Sequence, residues 1–455
     1  GRRFKVVMME TIFALSSGAG RAGVAVIRLS GPQTAMAVET LTGRAVLSPR
    51  YAALRRFRDP ESGEEIDQGL LIWFPAPASF TGEDCAELQV HGGLAVVEDM
   101  LTAIGRIPGC RLALPGEFTR RAFENGKLDL SQVEGLADLI AAETSAQRRQ
   151  ATRQLDGALS QLYADWRERL LRLLAFFEAE IDFVEEELPQ ALGLSLLPQI
   201  EGLASEIEGH LADGGRGERL RSGLEIAIVG PPNVGKSSLL NWLAGREVAI
   251  VSDIAGTTRD VLEVRLDLGG VPVTLVDTAG LRESGDAIER EGVRRASERA
   301  EKADLVIRMA AFSENGAVEG SLGQADELCV VNKVDRGSCV PEGALGISVA
   351  TGEGLRGLLD LLTARARESA GLSESASVTR ARHREASARA TRVKTRGENP
   401  SRRWFFFARA ASLAWPTLLI DRSVATCKGS AAAHAIIESC ARSNTPSVHN
   451  LVLSQ

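Results

Sequence analysis

Residues 224–243 read LEIAIVGPPNVGKSSLLNWL, and this stretch restricts the fold of the chain more tightly than any other. Leu224 to Val229 is a short apolar run rich in Ile and Val, the composition of a strand buried on both faces. Gly230 to Ser237 then fits G-x-x-x-x-G-K-[ST], and Leu239, Leu240 and Leu243 resume at helical spacing. A strand, a glycine loop and a helix start form an anion cradle, because backbone N–H groups and a helix N-terminus converge on phosphate oxygens. Gly230 and Gly235 permit backbone conformations and close approaches that a Cβ would obstruct. Lys236 offers a point charge to the β/γ-phosphates, and Ser237 offers a hydroxyl to Mg²⁺. An ordinary glycine turn before a helix would not need the strict spacing or the lysine–serine ending.

Three later segments follow in the order such a loop requires. Asp253 to Asp260 reads DIAGTTRD, and Val273 to Gly280 reads VTLVDTAG, a buried strand that presents Asp277 at its end. A carboxylate there can hold Mg²⁺ through water, and the Gly280 amide can meet a γ-phosphate. Leu328 to Val331 is another apolar run, followed by Asn332, Lys333, Val334 and Asp335. Asp335 can accept from N1–H and the exocyclic amine of guanine, Asn332 can bond the base edge, and Lys333 can lie along the ring. Adenine offers no such donor pair, so the carboxylate selects GTP. Ser348, Val349 and Ala350 can close over the base oxygen. One strand departs from pattern: LVIRMAA (Leu305 to Ala311) carries Arg308 in an apolar run, where an unpaired charge is costly. No partner for it is legible.

At 455 residues the chain exceeds one ordinary core, so two to four domains are expected. A net charge of −7 exerts no general pull on nucleic acid, so any such site must be a local basic patch. Six scattered cysteines without a Cys-x-x-Cys pair exclude a disulfide framework and fit a reducing compartment. No apolar run approaches the roughly 18 residues of a membrane span. The opening GRRFKVVMMETIFALSSGAG has the basic start of a signal peptide, but Glu10 interrupts its apolar stretch. Met8 or Met9 is a plausible biological start.

Residues 9 to about 125 alternate short apolar runs with glycine turns, with strands expected at Val24–Leu29 and Gly69–Phe74 and a helix at Val96–Ile104. His91, before Gly92 and Gly93, reads more readily as a structural turn histidine than as a catalyst. Arg28, Glu87 and Lys127 read alone as charged residues near element ends. From about 128 the pattern turns helical. Leu155, Leu159, Leu162, Trp166, Leu170, Leu173, Phe177 and Ile181 follow spacings of 3 and 4, predicting one long helix with a buried stripe. Pro198 to Leu211 predicts another helix, and GGRGERLRSG (Gly214 to Gly223) predicts a linker. The nucleotide domain spans about 223–372. Helical character returns at 378–390 and is then lost, with Pro400, Pro416 and Pro446 breaking it. The basic cluster Arg380 to Arg403 beside Trp404 and Phe405 to Phe407 has the makings of an RNA patch, although its composition fits a disordered tail better.

Together, GRAGVAVIRLSGP, SFTGEDCAELQVHGG, PGEFTRRAFENGKLDL, GPPNVGKSS, DIAGTTRDV, DTAGLRE and NKVD resemble the bacterial tRNA-modifying GTPase family MnmE, also called TrmE, over about residues 9–388. The resemblance implies an α/β plus α protein: an amino-terminal α/β folate-binding and dimerisation domain (1–125), a helical domain in two parts (126–222 and 373–455, atypical after about 390), and an inserted Ras-like P-loop GTPase (223–372). It implies a cytoplasmic homodimer. With the flavoprotein MnmG, as a heterotetramer, the family adds a carboxymethylaminomethyl-type group at C5 of the wobble uridine of certain tRNAs. The one-carbon donor is 5-formyltetrahydrofolate or a related tetrahydrofolate.

Residue by residue, Arg28, Glu87 and Lys127 match the family's folate contacts. Asn233, Val234, Gly235, Lys236, Ser237 and Ser238 match its phosphate loop, and Ser252, Asp253, Ile254, Ala255, Gly256, Thr257 and Thr258 its first switch. Asp277, Thr278, Ala279 and Gly280 match the second, and Asn332, Lys333, Asp335, Ser348, Val349 and Ala350 the base site. Ser237 and Thr258 match Mg²⁺ ligands. Asn233, Ser252, Ile254 and Thr257 match those of a K⁺ ion that replaces an arginine finger. Leu281 stands where Ras-type enzymes place a glutamine, and the family instead uses a glutamate matching Glu289, with Arg282 in the same switch and Lys236 on the phosphates.

One departure matters. Family members end in a terminal Cys-Ile-Gly-Lys, whereas this sequence ends in Ser454 and Gln455, and Cys427-Lys428-Gly429 lacks the isoleucine. The change of character near Ala390 has the look of a reading-frame shift, and the expectation is that GTP binding survives while modification is impaired. Two further classes stay open on sequence: a GTP-controlled assembly or signalling switch, and a damaged variant that only binds GTP.

Overall fold

The computed structural model describes residues 10–45, 48–182, 192–246, 248–250, 263–277, 303–320, 327–337 and 339–371. They belong to two compact units divided between Val133 and Glu134.

The first unit is a six-stranded sheet. Its strands are β1 (Thr11–Leu15), β2 (Ala22–Ser30), β3 (Ala53–Arg58), β4 (Glu65–Phe74), β5 (Cys85–Gly92) and β6 (Cys110–Leu112), in the spatial order β3-β4-β5-β2-β1-β6. Neighbours are antiparallel except β1 and β6. Period-2 alternation decides the faces: Ala25, Ile27 and Leu29 of β2 point inward with Ala86, Leu88 and Val90 of β5. Helices α1 (Thr34–Thr42) and α2 (Leu94–Gly105) complete this core through Ala37, Val38, Leu41, Met100, Ala103 and Ile104. Arg28 and Glu87 are register partners on the opposite face. A short helix, α3 (Glu117–Glu124), follows β6. His91 lies on β5 rather than in a turn, and Asp67 takes both its backbone N–H and its Nδ1, each at 2.8 Å.

After α4 (Leu130–Ile140), the expected single long helix is two: α5 (Ser145–Leu155) and α6 (Ala158–Asp182). Leu155 therefore belongs to the earlier helix. The break falls at Asp156-Gly157, where Gly157 takes φ 87°, a left-handed turn that stops helix propagation. The stripe itself is core: Leu159, Trp166, Leu170 and Leu173 are buried and Leu162 packs beside them, joined by Tyr163, which the periodicity omitted. The side chains of Phe177 and Ile181 lie outside the described residues. The expected linker is also helix. α7 runs Leu192–Ser222 straight through the glycines at 214, 215 and 217. Tertiary contacts override their poor propensity, since Leu220 is buried in the next core and Gly217 and Arg221 carbonyls accept from Gln150 and Gln147.

The second sheet contains β7 (Leu224–Val229), β8 (Glu263–Leu268), β9 (Val271–Asp277), β10 (Leu305–Phe312), β11 (Val318–Glu319), β12 (Leu328–Asn332) and β13 (Leu345–Gly346). Its order is β13-β12-β10-β7-β9-β8, with β11 beside β10, and β7 sits centrally between parallel β10 and β9. Helices α8 (Lys236–Ala244) and α9 (Leu355–Ala370) pack on it through Leu239, Leu240, Leu243, Leu355, Leu358 and Leu362. Arg308 finds its partner here. Its Nε and Nη2 meet the two carboxylate oxygens of Glu327 at 2.5 and 2.6 Å, just before β12. The charge is neutralised bidentately, so the strand keeps it on the face opposite Ile307 and Met309.

Candidate nucleotide site

The strand–loop–helix unit at 224–244 places the phosphate loop at the carboxyl end of a central parallel strand, where open α/β sheets bind ligands. Gly230 takes φ 155°, and a Cβ there would lie 2.3 Å from the Met309 carbonyl oxygen. Gly235 takes φ 101°, and its Cβ would lie 2.3 Å from Asn332 Nδ2. Both glycines are therefore required by geometry. Asn233 is a non-glycine residue at φ 63°, a conformation asparagine tolerates better than most. Lys236 is buried, and its ammonium donates to the carbonyls of Gly230 (2.9 Å) and Pro231 (2.7 Å), so it lies folded over the loop.

Ser237 Oγ donates to Asp277 Oδ2 at 2.8 Å. Asp277 is fully buried at the end of β9. The two form a paired set of hard oxygen donors beside the cradle, the chemistry Mg²⁺ prefers.

The segment expected to read the base is hydrogen-bonded to this loop. Asn332 Nδ2 donates to the Val234 carbonyl at 2.7 Å, and its Oδ1 accepts from Val349 N–H at 3.2 Å. Lys333, at φ 63°, donates to the Asn233 carbonyl at 2.9 Å. Ser348 Oγ donates to Asp335 Oδ1 at 2.6 Å. That hydroxyl is the main reason the Asp335 carboxyl is held below its ordinary value, with Arg336 and Lys333 adding to it. Asp335 thus stays an acceptor, as guanine recognition requires. Asn233, Val234, Gly235, Lys236, Ser237, Asp277, Asn332, Lys333, Asp335, Ser348 and Val349 are thereby linked by these contacts into one site, and Ser238 and Ala350 adjoin it in sequence. Ser252, Asp253, Ile254, Ala255, Gly256, Thr257, Thr258, Thr278, Ala279, Gly280, Arg282 and Glu289 lie outside the described residues, as does everything from 372 onward.

The first unit carries a second candidate site. Arg28 donates from Nε and Nη2 to Glu87 Oε1 at 3.0 and 2.7 Å. Its guanidinium lies 5.2 Å from the Phe80 ring centroid and 5.8 Å from that of Phe118, within cation–π range. Lys127 Nζ donates to the Pro77 carbonyl at 3.1 Å, on the loop that also supplies Phe80. Sequence reasoning missed the two phenylalanines and the residue that secures them. Arg121 is buried and donates to Glu83 (3.0 Å), Glu117 (3.2 Å) and the carbonyl of Glu10 (2.9 Å). It ties the Phe80 loop to α3, which bears Phe118. Only the four-residue spacing of Glu117 and Arg121 was visible in the sequence.

Among the described residues, no group of three or more His, Cys, Asp or Glu side chains is placed to hold a metal, and no helix is long and apolar enough to cross a membrane.

Comparisons with known proteins show what the chain as a whole is similar to. The family model "GTP-binding protein TrmE N-terminus" matches residues 11–127, and "MnmE helical domain" matches 130–401. The tRNA modification GTPase MnmE of Parvibaculum lavamentivorans is 64% identical over 378 residues, covering 83% of this chain and 86% of its own. That of Brucella ovis is 52% identical over 376 residues, covering 82% and 85%. Among solved structures, Aquifex aeolicus Era aligns with 39% of this chain and 69% of its own at 24% identity, with a TM-score of 0.24.

Proposed function

The chain belongs to the MnmE family of tRNA modification GTPases, and from that premise we propose how its residues divide the work. GTP binds with its phosphates over Asn233 to Ser238 and its guanine against Asp335, under Ser348, Val349 and Ala350. The observation that carries this reading is the Asn332–Val234 hydrogen bond, which fixes the base-selecting segment on the phosphate loop. Lys236 leaves its carbonyl partners for the β/γ-phosphates. Asp335 selects guanine because only a carboxylate accepts both donors of that base edge.

Ser237, Asp277 and Thr258 are the residues suited to Mg²⁺, and Asn233, Ser252, Ile254 and Thr257 to K⁺. Held by these residues, the two cations would supply positive charge beside the phosphates, work that an arginine finger does elsewhere for about 10³–10⁵-fold. Glu289 orients the attacking water, with Arg282 in the same segment, because Leu281 has no polar group to do so.

In the first unit, Arg28, Glu87 and Lys127 hold a tetrahydrofolate such as 5-formyltetrahydrofolate. Two phenyl rings beside Arg28 suit the flat edge of a pterin. The folate supplies one carbon for the modification of C5 of the wobble uridine, carried out by a homodimer with the flavoprotein MnmG on tRNA in the cytoplasm.

The test is GTP turnover in K⁺ against Na⁺, with Glu289→Ala as control. Faster turnover in K⁺ that the variant loses is expected. Equal rates in both salts would remove the potassium mechanism, and folate titration separately decides the role of Arg28.

A further inference from the structure

The first half of helix α5 runs against its own dipole. Its sequence SAQRRQATRQL holds three arginines and no acidic residue, and its first turn carries no acid. Arg148 and Arg149 are its fourth and fifth residues, close to the positive end of the helix dipole, where cations are disfavoured. Arg149 and Arg153 stand four apart, a like-charge spacing that also opposes helix formation. Three other arginines of this unit are matched by nearby carboxylates of their own helix: Arg169 with Asp165, Arg172 with Glu168, Arg216 with Asp213. Arg148 and Arg149 are exposed and have no ion-pair partner among the described residues.

The opposite side of α5 is firmly held. Ala146 is buried in the core of the GTP-binding sheet, Ala151 and Gln154 are buried, and Gln147 and Gln150 donate to the carbonyls of Arg221 and Gly217 on α7. A capping box at Thr144 and Gln147 secures the first turn. The result is a rigid helix whose outer face, Ser145, Arg148, Arg149 and Thr152, is positive and carries no apolar anchor.

We propose that this outer face docks the phosphate backbone of the tRNA, with Arg148 and Arg149 as phosphate contacts. Local rules that a sequence breaks are expected where function demands it. The guanidinium fork matches phosphate bidentately. A protein partner would require buried aromatic or aliphatic anchors at the centre of its footprint, and this face has none. A chain of net charge −7 needs such a local patch to approach a polyanion at all. The proposal rests on family membership and not on the folate or potassium assignments.

The experiment measures tRNA affinity of the full chain at several salt concentrations. Arg148→Gln/Arg149→Gln is compared with wild type and with Arg356→Gln/Arg365→Gln, two exposed arginines on α9. Glutamine keeps helix propensity and removes two unfavourable charges from the start of the helix, so melting temperature stays at or slightly above that of wild type and GTP turnover is unchanged. The α5 pair is expected to flatten the slope of log affinity against log salt by about 1.4–1.8, two phosphates at roughly 0.7–0.9 each, and to weaken binding about tenfold or more near 50 mM salt. The α9 pair should leave both unchanged. Equal losses from the two pairs, no change from the α5 pair, or no salt-dependent tRNA binding by wild type would each overturn the proposal. So would intact tRNA binding with loss of association to a protein partner, which would make the face a protein interface.

Discussion

Asn332 and Val234 lie 98 positions apart, and a 2.7 Å hydrogen bond from the asparagine amide to the valine carbonyl joins the segment proposed to read the base to the loop proposed to hold the phosphates. Lys333 repeats the join one residue along, on Asn233. On the proposed reading, nucleotide identity and nucleotide affinity are therefore one structural property.

Replacing Gly235 with Ala strikes that join. A Cβ at this position meets Asn332 Nδ2 at 2.3 Å, and the left-handed φ of 101° adds about 1–3 kcal/mol of strain. At 1.4 kcal/mol per decade, guanine nucleotide affinity should fall by about 5- to 140-fold. Titration with a fluorescent GTP analogue measures this, and wild-type affinity would show that Asn332 moves aside freely.

Asp335→Asn should exchange selectivity rather than abolish it. The amide oxygen can still accept the Ser348 hydroxyl, while the amide N–H₂ now faces the exocyclic amine of guanine. Xanthine carries an oxygen at that position. GTP affinity is expected to fall about 100-fold or more, and XTP should become the better ligand. A competition titration of GTP, XTP and ATP decides it.

The first unit should lose stability in acid through Glu117. Hydrogen bonds from Arg111 hold its carboxyl down to about 2, with Leu114 N–H and Arg121 contributing. A carboxyl depressed in the folded state binds fewer protons there than in the unfolded chain, so its stabilisation is complete above the ordinary value of 4.5 and is lost as pH falls toward 2. Arg111→Gln should move that loss to higher pH. Chemical denaturation between about pH 2 and 6 tests the sign, and an unshifted profile would assign the acid transition to other groups.

Much of the candidate GTP site was legible because its requirements are local. A phosphate loop needs particular residues at particular spacings, and β7 runs from Leu224 to Val229 as the apolar run indicated. What stayed hidden had distant causes. GGRGERLRSG reads as a linker on propensity, yet Leu220 is buried in the adjoining core and two glutamines of α5 hold its carbonyls. The stripe from Leu155 to Ile181 has unbroken helical spacing, yet one glycine at φ 87° divides it, and periodicity of apolar residues does not register a turn between them. Arg308 looked misplaced only because Glu327, 19 residues on, was not recognisable as its partner.

By itself the amino-acid sequence determined the strand–glycine loop–helix unit, the order of α/β and helical segments and the family, and it named the carboxylate proposed to select guanine. These follow from short-range stereochemistry and from hydrophobic period, both written along the chain. The tertiary structure alone decided that Arg121 is buried between the Phe80 loop and α3, that Arg28 lies beside two phenyl rings, that Asn332 is hydrogen-bonded to the Val234 carbonyl, and that Arg148 and Arg149 of α5 face outward. Each of those depends on which distant surfaces meet when apolar area is withdrawn from water, a choice made by the whole fold and not by any single segment.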